Sequence, residues 1–193
     1  MAAPERWIVR HEAPHADCRV FKVARQRCTH PLDQREGDFF VIHSSDWVLA
    51  LPVTPEGNLV MVKQWRFGAH ALSVEIPGGV MDAGENPLDT AVRETREETG
   101  YAGGVVSSLG SASPNPAIQS NHCHFVLLEG VSNGAPRKLD EHEEIEVLCV
   151  SPNEALRLVR TGETTHALAE LALLRLKEAR PSLFTRSACH SSV

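Results

Sequence analysis

Residues 79–101 read GVMDAGENPLDTAVRETREETGY and place three carboxylates, Glu94, Glu97 and Glu98, within two turns of a predicted helix. At about 100° per residue, Glu94 lies about 40° from Glu98 and about 60° from Glu97, so the three side chains share one stripe. Carboxylates this close repel one another, which predicts a cation at the stripe. Oxygen ligands suit a hard divalent ion such as Mg²⁺, which commonly shares a phosphate of the substrate.

The sequence also predicts where this helix begins and ends. Asn86 is a capping residue, Pro87 follows at the first helical position, and Asp89 completes a cap that resembles a box. Gly100 is the left-handed residue that ends many helices. The preceding stretch 75–79, EIPGG, ends in a glycine pair, where a backbone carbonyl can approach an ion closely. The whole segment is therefore predicted to be strand, loop and helix.

The opposite stripe of the helix is predicted to pack on a core and to hold the carboxylates toward solvent. Its residues are Leu88, Val92, Thr95 and Thr99. The alternative is an ordinary solvated helix, because runs such as RETREET commonly form i,i+4 ion pairs on an exposed face. Composition alone does not decide between them.

The spacing of the stretch resembles the Nudix box of the Nudix hydrolases: Gly, five residues, Glu, seven residues, Arg-Glu, an apolar residue, any residue, Glu-Glu, any residue, Gly, an apolar residue. The matching residues are Gly79, Glu85, Arg93, Glu94, Glu97, Glu98 and Gly100. Thr95 stands where the family usually has an aliphatic residue. The resemblance implies an α/β fold, the Nudix α/β/α sandwich with a mixed sheet, over about residues 47–179.

The same resemblance implies a metal-dependent pyrophosphohydrolase. The ion would be Mg²⁺, with Mn²⁺ as the alternative. Its implied ligands are the Gly78 carbonyl and the carboxylates of Glu94, Glu97, Glu98 and Glu143. Glu85 and Arg93 would form an ion pair that braces the box, and Arg93 and Glu97 are counted among the catalytic residues.

A second acidic segment, DEHEE at residues 140–144, has two interpretations. By composition it is a solvated, negatively charged loop. In the resembling enzymes, a glutamate at the corresponding place serves as base or as a further metal ligand. Glu143 aligns best with that glutamate and Glu141 second, and both are candidate catalytic residues. A loop carboxylate can move into place when substrate and metal arrive.

Residues outside the box resemble the ADP-ribose and nucleoside diphosphate sugar pyrophosphatase branch of the family. QWRF at residues 64–67 is similar to the Gln-aromatic-Arg of that branch, and EIPGG matches its lead-in to the box. A proline that follows the box by about fifteen residues in that branch has a counterpart in Pro116. The implied substrate-binding residues are Arg66, Trp65, Glu75 and Pro116. The leading candidate substrate is ADP-ribose, which would be hydrolysed to AMP and ribose 5-phosphate. Another nucleoside diphosphate sugar is the alternative substrate.

Apolar runs and turn residues predict the remaining elements. The predicted strands are 19–24, 38–43, 47–53, 59–65, 105–109, 122–129 and 144–150, and the predicted later helices run from Ser151 to Gly162 and over 165–179. We expect a β extension at 1–45, the Nudix domain at 46–180 and a mobile tail at 181–193. The segment 25–37 is interpreted as a polar connection.

The antiparallel β extension carries too few apolar residues to close a core alone, so something should cover it. Its apolar residues include Val20, Phe21, Val23, Phe39, Phe40, Val41 and Ile42. A second copy of the chain is the expected cover, as in the resembling pyrophosphatases. The prediction is a homodimer.

Composition excludes several other classes of protein. The formal net charge of −6 over 193 residues argues against a nucleic-acid-binding surface, and no apolar run is long enough for a membrane span or a secretory signal. The five cysteines show no zinc or CxxC spacing, which favours a reducing compartment, the cytoplasm. His122 and His124 alternate on a predicted strand, and without a third ligand they are interpreted as strand surface.

Two rival functions remain. A nucleoside triphosphate hydrolase would use the same box on a different small-molecule nucleotide. A sensor with this fold would bind ADP-ribose without turnover, and the intact Glu97-Glu98 pair argues against it because a sensor has no need of metal ligands.

Overall fold

The computed structural model describes residues 3–185, and its chain divides into two compact units. The first unit comprises residues 1–46 and 113–122, and the second comprises 47–112 and 123–193. Of the predicted tail, 181–193, the part 186–193 lies outside the described residues. The first domain was predicted to end at residue 45, and that prediction leaves out the segment 113–122, which belongs to the first unit.

The first unit is built on a three-stranded antiparallel sheet in the order β1-β2-β3. Its strands are β1 (Ile8–Asp17), β2 (Lys22–Thr29) and β3 (Glu36–His43). Two backbone bonds join β3 to the segment 113–122, from Ile42 N to Ile118 O at 2.7 Å and from Ser120 N to Ile42 O at 3.2 Å.

Two predictions for this sheet were wrong. The first strand was missed because IVRHEAPHAD lacks the apolar alternation of a half-buried strand, and nine of its ten residues are exposed. The second strand runs over Lys22–Thr29 rather than 19–24, so the segment interpreted as polar connection is partly strand. Pairing with β1 and β3 on both sides supplies the hydrogen bonds that local propensity did not indicate.

The second unit contains a mixed sheet in the order β11-β5-β4-β9-β8, with β6 paired to β5. Within this sheet, β4 and β9 pair in parallel, and the other paired strands are antiparallel. The strands are β4 (Trp47–Val53), β5 (Leu59–Arg66), β6 (Ala71–Glu75), β7 (Tyr101–Ala102), β8 (Val105–Ala112), β9 (Cys123–Glu129), β10 (Ser132–Asn133) and β11 (Glu146–Val150). The short strands β7 and β10 form a separate pair.

Helices cover both faces of this sheet. They are α1 (Pro87–Glu94), a π-helical turn (Thr95–Thr99), α2 (Pro152–Arg160), α3 (Ala167–Ala179) and α4 (Ser182–Thr185). Leu49 and Leu51 of β4 pack with α2 and α3, whereas the alternate residues Val48 and Ala50 pack with Ala91 of α1. The three layers confirm the predicted α/β/α arrangement.

Two further predictions need correction. Leu88 and Val92 do not face the core but are 37% and 38% exposed, because α1 approaches the sheet through the smaller buried residues Thr90 and Ala91. The predicted mobile tail begins with α4, whose Phe184 is buried in the core beside α2 and α3. Its aromatic ring supplies the apolar area that holds this segment in place.

No helix within residues 3–185 combines the length of 18 residues with the apolar character that a bilayer crossing requires. The described cysteines form no disulfide.

Candidate active site

The glycine pair at 78–79 allows the segment before the box to pack closely against β4 and Glu94. The carbonyls of Pro77 and Gly79 accept hydrogen bonds from Ala50 N at 2.8 Å and Val48 N at 2.9 Å, which fixes this stretch along β4. A Cβ at Gly78 would overlap the backbone oxygen of Val48, and a Cβ at Gly79 would overlap the carboxylate of Glu94. Only glycine allows both approaches.

The box helix begins as predicted but ends in a wider turn. Asn86 Oδ1 accepts from Leu88 N at 3.0 Å and Asp89 N at 3.1 Å, which caps α1. Residues Thr95–Thr99 then form a π-helical turn that Gly100 closes in the left-handed conformation, with φ of 74°. Single π turns inside helices occur frequently at functional sites. The assumption of 100° per residue therefore fails for the last turn of the box.

The π turn directs Glu98 into the protein rather than toward solvent. Glu98 is 3% exposed, and its Oε2 accepts a hydrogen bond from Gly78 N at 3.0 Å. Burial, together with the charge of Glu94, raises the pKa of Glu98 to about 8, although the Gly78 N–H opposes the shift. The predicted solvent-facing stripe is thus wrong for Glu98, and its raised pKa favours the protonated form at neutral pH.

Arg93 compensates the other carboxylates of the box. It binds Glu85 through two bonds of 2.9 and 2.8 Å, Glu94 at 2.7 Å and Glu97 at 3.2 Å. The bonds from Arg93 hold the pKa of Glu85 down to about 2. The predicted Glu85–Arg93 ion pair is present, and the expected repulsion along the stripe is reduced because one guanidinium is shared by three carboxylates.

The cavity in front of these residues, here called the carboxylate cavity, has a volume of about 600 Å³. Its lining includes Gly78, Gly79, Arg93, Glu94, Glu97, Glu98, Gln64, Arg66, Lys138 and Glu143. Burial raises the pKa of Glu94 even beside Arg93, so a buried charge there lacks full compensation. Three carboxylates of one helix, two of them with raised pKa values, form a donor set suited to a divalent cation.

The carbonyl of Gly78 adds a further oxygen donor. Within residues 3–185 no backbone or side-chain donor is directed at this carbonyl oxygen, although the carbonyls on either side of it are both bonded. In the same described part of the chain, no three His, Cys, Asp or Glu side chains already converge closely enough to hold an ion. The oxygen-only chemistry of the set fits a divalent metal, and ion binding would have to draw the carboxylates together.

A second buried carboxylate, Glu75 of β6, lies in the same unit beside Arg66 and His166. Arg66 at the end of β5 donates to Glu75 through Nε at 3.0 Å and Nη2 at 2.6 Å. His166 Nδ1 lies 3.3 Å from Glu75 Oε2, and its ring stacks on Trp47 at a centroid distance of 5.4 Å. Burial by itself would raise the pKa of Glu75, but His166 and Arg66 outweigh it and lower the pKa to about 2.

A larger cavity of about 1020 Å³, the aromatic cavity, opens beside this cluster. Trp65, Phe67, Arg66, Glu75 and His166 line it together with residues 141–144 of the acidic loop. Trp65 and Phe67 are exposed large apolar side chains, and an exposed ring at a cavity is a stacking surface for a planar ligand.

Glu143 borders both cavities, whereas Glu141 borders only the aromatic one. Glu143 Oε2 accepts from Asp140 N at 3.0 Å, and Glu143 N donates to Asp140 O at 3.0 Å, so a local turn holds this carboxylate. Both glutamates are exposed.

The NUDIX domain model matches residues 45–171. The chain belongs to the Nudix family. Its sequence is 39% identical over 135 residues to an ADP-ribose pyrophosphatase of Bacillus subtilis (strain 168), an alignment that covers 68% of this chain and 73% of that protein. It is 29% identical over 155 residues to a mouse (Mus musculus) ADP-sugar pyrophosphatase, with 73% and 71% covered.

The fold resembles that of a solved structure described as an ADP compounds hydrolase. The TM-score is 0.84, with 94% of this chain and 98% of that chain covered, at 17% sequence identity. At this identity, the likeness supports the fold alone. Family and fold, as expected from the box, are confirmed.

Most of the site residues predicted from the sequence fall into two groups, one at each cavity. The carboxylate cavity brings together Gly78, Arg66, Arg93, Glu94, Glu97, Glu98 and Glu143, while Trp65, Glu75 and Glu141 line the aromatic cavity with Arg66 and Glu143. Pro116 is exposed in the first unit and is not part of either group. His166 and Lys138 were missed. Neither belongs to the box, and only the folded chain brings them to these cavities.

Proposed function

We propose that this Nudix protein hydrolyses the pyrophosphate bond of a nucleoside diphosphate sugar, with ADP-ribose as the leading substrate, giving AMP and ribose 5-phosphate. The observation that carries the proposal is the adjacency of the carboxylate cavity to the aromatic cavity, with Arg66 and Glu143 in both linings. A diphosphate and an aromatic base can each find matching chemistry there. The similarity to the Bacillus ADP-ribose pyrophosphatase and the mouse ADP-sugar pyrophosphatase supports the same substrate class.

A divalent metal ion completes this chemistry, and we propose Mg²⁺, with Mn²⁺ as the alternative. Glu94, Glu97, Glu98 and the Gly78 carbonyl would hold it, with Glu143 as a further ligand. When bound, such an ion neutralises charge that develops on phosphate oxygens and favours deprotonation of a water molecule.

The protein's own groups then divide the remaining work. Arg66 has five N–H donors, and Glu75 engages one on Nε and one on Nη2, so Nη1 is left for a phosphate oxygen. Trp65 would stack on the base. Glu143, or Glu141 in its place, would orient or deprotonate the attacking water. Arg93 would keep the box carboxylates in position through Glu85.

One relative favours a different nucleotide. A CMP-5'-(N-acetyl-N-hydroxy-3-aminopropyl)phosphonate hydrolase of Streptomyces rubellomurinus is 30% identical over 179 residues, covering 91% of this chain and 85% of that protein. A cytidine nucleotide joined to another phosphorus group is therefore the second candidate substrate. Triphosphate hydrolysis and binding without turnover are the remaining rivals.

The deciding experiment is a substrate panel with Mg²⁺ or Mn²⁺. It should include ADP-ribose, other ADP-, UDP- and CMP-linked compounds and nucleoside triphosphates, with products identified by phosphorus NMR. We expect the highest kcat/KM for ADP-ribose, with two phosphomonoesters as products. Faster release of pyrophosphate from a triphosphate would contradict the proposal, and tight ADP-ribose binding without turnover would favour the sensor.

We also propose a homodimer formed through the three-stranded sheet of the first unit. Successive strand residues point to opposite faces of a sheet, and Phe39 and Phe40 of β3 are 44% and 47% exposed. Neither face is therefore fully covered by residues 3–185, and a second copy packed on either face would bury the ring that faces it. Light scattering should give the dimer mass for the wild type and the monomer mass for the Phe39→Ser/Phe40→Ser variant. A monomeric wild type at micromolar concentration would contradict this.

The environment we propose is the cytoplasm, on the basis of the cysteine spacing. Expression as a fluorescent fusion in a host cell would test it, and export of the fusion from the cytoplasm would contradict it.

A further inference from the structure

A third cavity in the second unit borders the box on its basic side. This α1 groove, of about 660 Å³, is lined by Asp89, Val92, Arg93, Arg96, Glu97, Pro136, Arg137 and Lys138. Arg93, Glu97 and Lys138 also line the carboxylate cavity, so the two cavities meet at these side chains. The α1 groove is therefore adjacent to the carboxylate cavity.

The groove gathers cationic side chains that no carboxylate compensates. Arg96, Arg137 and Lys138 line the groove and form no ion pair with any residue of 3–185. Such a cluster of cations contrasts with the formal net charge of −6 for the whole chain. Arg137 Nη2 donates to the carbonyl of Ile145 at 2.9 Å, which leaves its other N–H groups for a ligand.

The two carboxylates of the groove are already engaged by other groups. Arg93 lies 3.2 Å from Glu97, and the Asn86 amide donates to Asp89. The lining carries four cationic side chains against these two carboxylates, so the local excess of charge is positive, as a phosphate group requires.

Backbone bonds fix the positions from which these cations project. Lys138 N donates to Glu97 O at 3.0 Å, which ties the 136–138 segment to the π turn. Gly100 N donates to Arg96 O at 3.0 Å. An exposed basic cluster is commonly only solvated. This one differs because it is concave, anchored by backbone bonds and adjacent to the carboxylate cavity.

The lining also indicates which phosphate compound would fit. The groove has no aromatic side chain on which a base could stack, and its apolar parts are Val92 and Pro136. The aromatic cavity, in contrast, has Trp65 and Phe67. We propose that the α1 groove is a subsite for the phosphorylated sugar half of the substrate after cleavage, in which Arg96, Arg137 and Lys138 bind its phosphate. The inference rests on the proposed hydrolase function, which produces this sugar phosphate.

Isothermal titration calorimetry of the Mg²⁺-supplemented protein tests the subsite without turnover. Ribose 5-phosphate and AMP are the ligands, and Arg137→Gln/Lys138→Gln is the test variant. Arg160→Gln/Lys177→Gln is the matched control, since it removes one exposed arginine of α2 and one exposed lysine of α3, the same loss of charge at residues outside the groove. We expect the Kd for ribose 5-phosphate to rise about tenfold or more in the double variant and to stay within about twofold in the control, with AMP affected in neither.

Arg96→Gln, which removes a side chain from the helix instead of the loop, should weaken ribose 5-phosphate binding in the same direction. It also keeps the test independent of the Arg137–Ile145 bond. The subsite is overturned if wild-type protein binds no ribose 5-phosphate at millimolar concentration, or if the double variant binds it as the wild type does. Equal weakening in the Arg160/Lys177 control, or of AMP, also overturns it, since the effect would then be general charge or the carboxylate cavity.

These results separate the two proposals. A protein that hydrolyses ADP-ribose but binds ribose 5-phosphate equally well in wild type and double variant keeps its function and loses the subsite. A protein that hydrolyses no nucleotide sugar, yet loses ribose 5-phosphate binding in the double variant, keeps the subsite and loses the function.

Discussion

Glu75 and Glu98 are both buried carboxylates of the second unit, 1% and 3% exposed, yet their pKa values differ widely. Burial acts on both in the same direction. Glu75 has His166 and Arg66 beside it, and its pKa falls to about 2. Glu98 has the anionic Glu94 as a neighbour and one backbone N–H as a donor, and its pKa rises to about 8.

Partners, rather than depth, decide the charge of a buried carboxylate. Glu75 stays ionised at every physiological pH and therefore serves as a fixed anchor for the Arg66 guanidinium. We expect Glu98 to gain full charge only when a cation binds beside it. The Glu75 side of the site already has its partners, whereas the proposed metal would complete the Glu98 side.

Removal of the metal-dependent charge should have the largest effect on activity. We expect Glu98→Gln or Glu97→Gln to lower kcat by about 10²-fold or more, because a bound metal stabilises several kcal/mol of developing charge. The melting temperature of metal-free Glu98→Gln should hold or rise, since an amide is neutral without the proton uptake that burial demands of Glu98 at neutral pH. Glu170→Gln on the exposed face of α3 is the control. Near-full activity in either box variant would refute the metal-site assignment.

Substitution of Glu75, the carboxylate that anchors Arg66, should lower stability, in contrast to Glu98→Gln. Glu75→Gln leaves Arg66 and His166 without their shared anion, so we expect a loss of about 2–4 kcal/mol in the free energy of unfolding, measured by urea denaturation. The control is Glu129→Gln, which breaks the more exposed pair with Arg180 at 2.7 Å and should cost at most about 1 kcal/mol. Equal losses in the two variants would remove the distinction between Glu75 and an ordinary surface ion pair.

The two carboxylates also predict opposite pH dependences of stability. The folded protein holds the Glu98 proton up to about pH 8, above the ordinary value of 4.5, so the metal-free protein should lose stability as pH rises between these values. We expect about 2 kcal/mol between about pH 5 and pH 7, and a flatter profile in Glu98→Gln. Glu75 contributes stability that is lost as pH falls from 4.5 toward 2. Identical profiles for wild type and Glu98→Gln would show that Glu98 is ionised without metal.

The smallest effect is expected in the acidic loop, where contact with both cavities distinguishes Glu143 from Glu141. Glu143→Gln should lower kcat by about tenfold or more with little change in KM, because its role lies in the transition state. Glu141→Gln should change kcat by less than about twofold. The reverse order would assign the role to Glu141, and two mild variants would return the segment to a solvated loop.

The sequence predicted the parts of the site that one continuous segment builds. Asn86, Arg93 and Gly100 perform in the structure the capping, pairing and terminating roles that their spacing indicated. Leu88 and Val92 show the limit of periodicity, because an apolar stripe does not reveal which residues are small enough for close packing on a sheet. The π turn has no strong local signal, since it depends on packing around Thr95 and Thr99.

Contacts across long separations could not be predicted from one sequence. His166 begins α3 and Glu75 ends β6, and nothing near either residue indicates that they meet. The strand β1 is similar, since its largely exposed residues pair only because β2 lies beside them. Such features become visible only with the tertiary fold.

The hydrogen bonds of Arg93 to Glu85, Glu94 and Glu97 have a consequence for the stability of the protein before a metal binds. All four residues lie within a single segment of the chain, so their network can form together with α1, as an internal substitute for a missing ion. Domains whose ligands lack such a substitute unfold when a chelator removes their metal. This chain should instead persist as a folded, inactive reserve during metal scarcity, escape the proteases that clear unfolded chains, and resume work on loading without new synthesis.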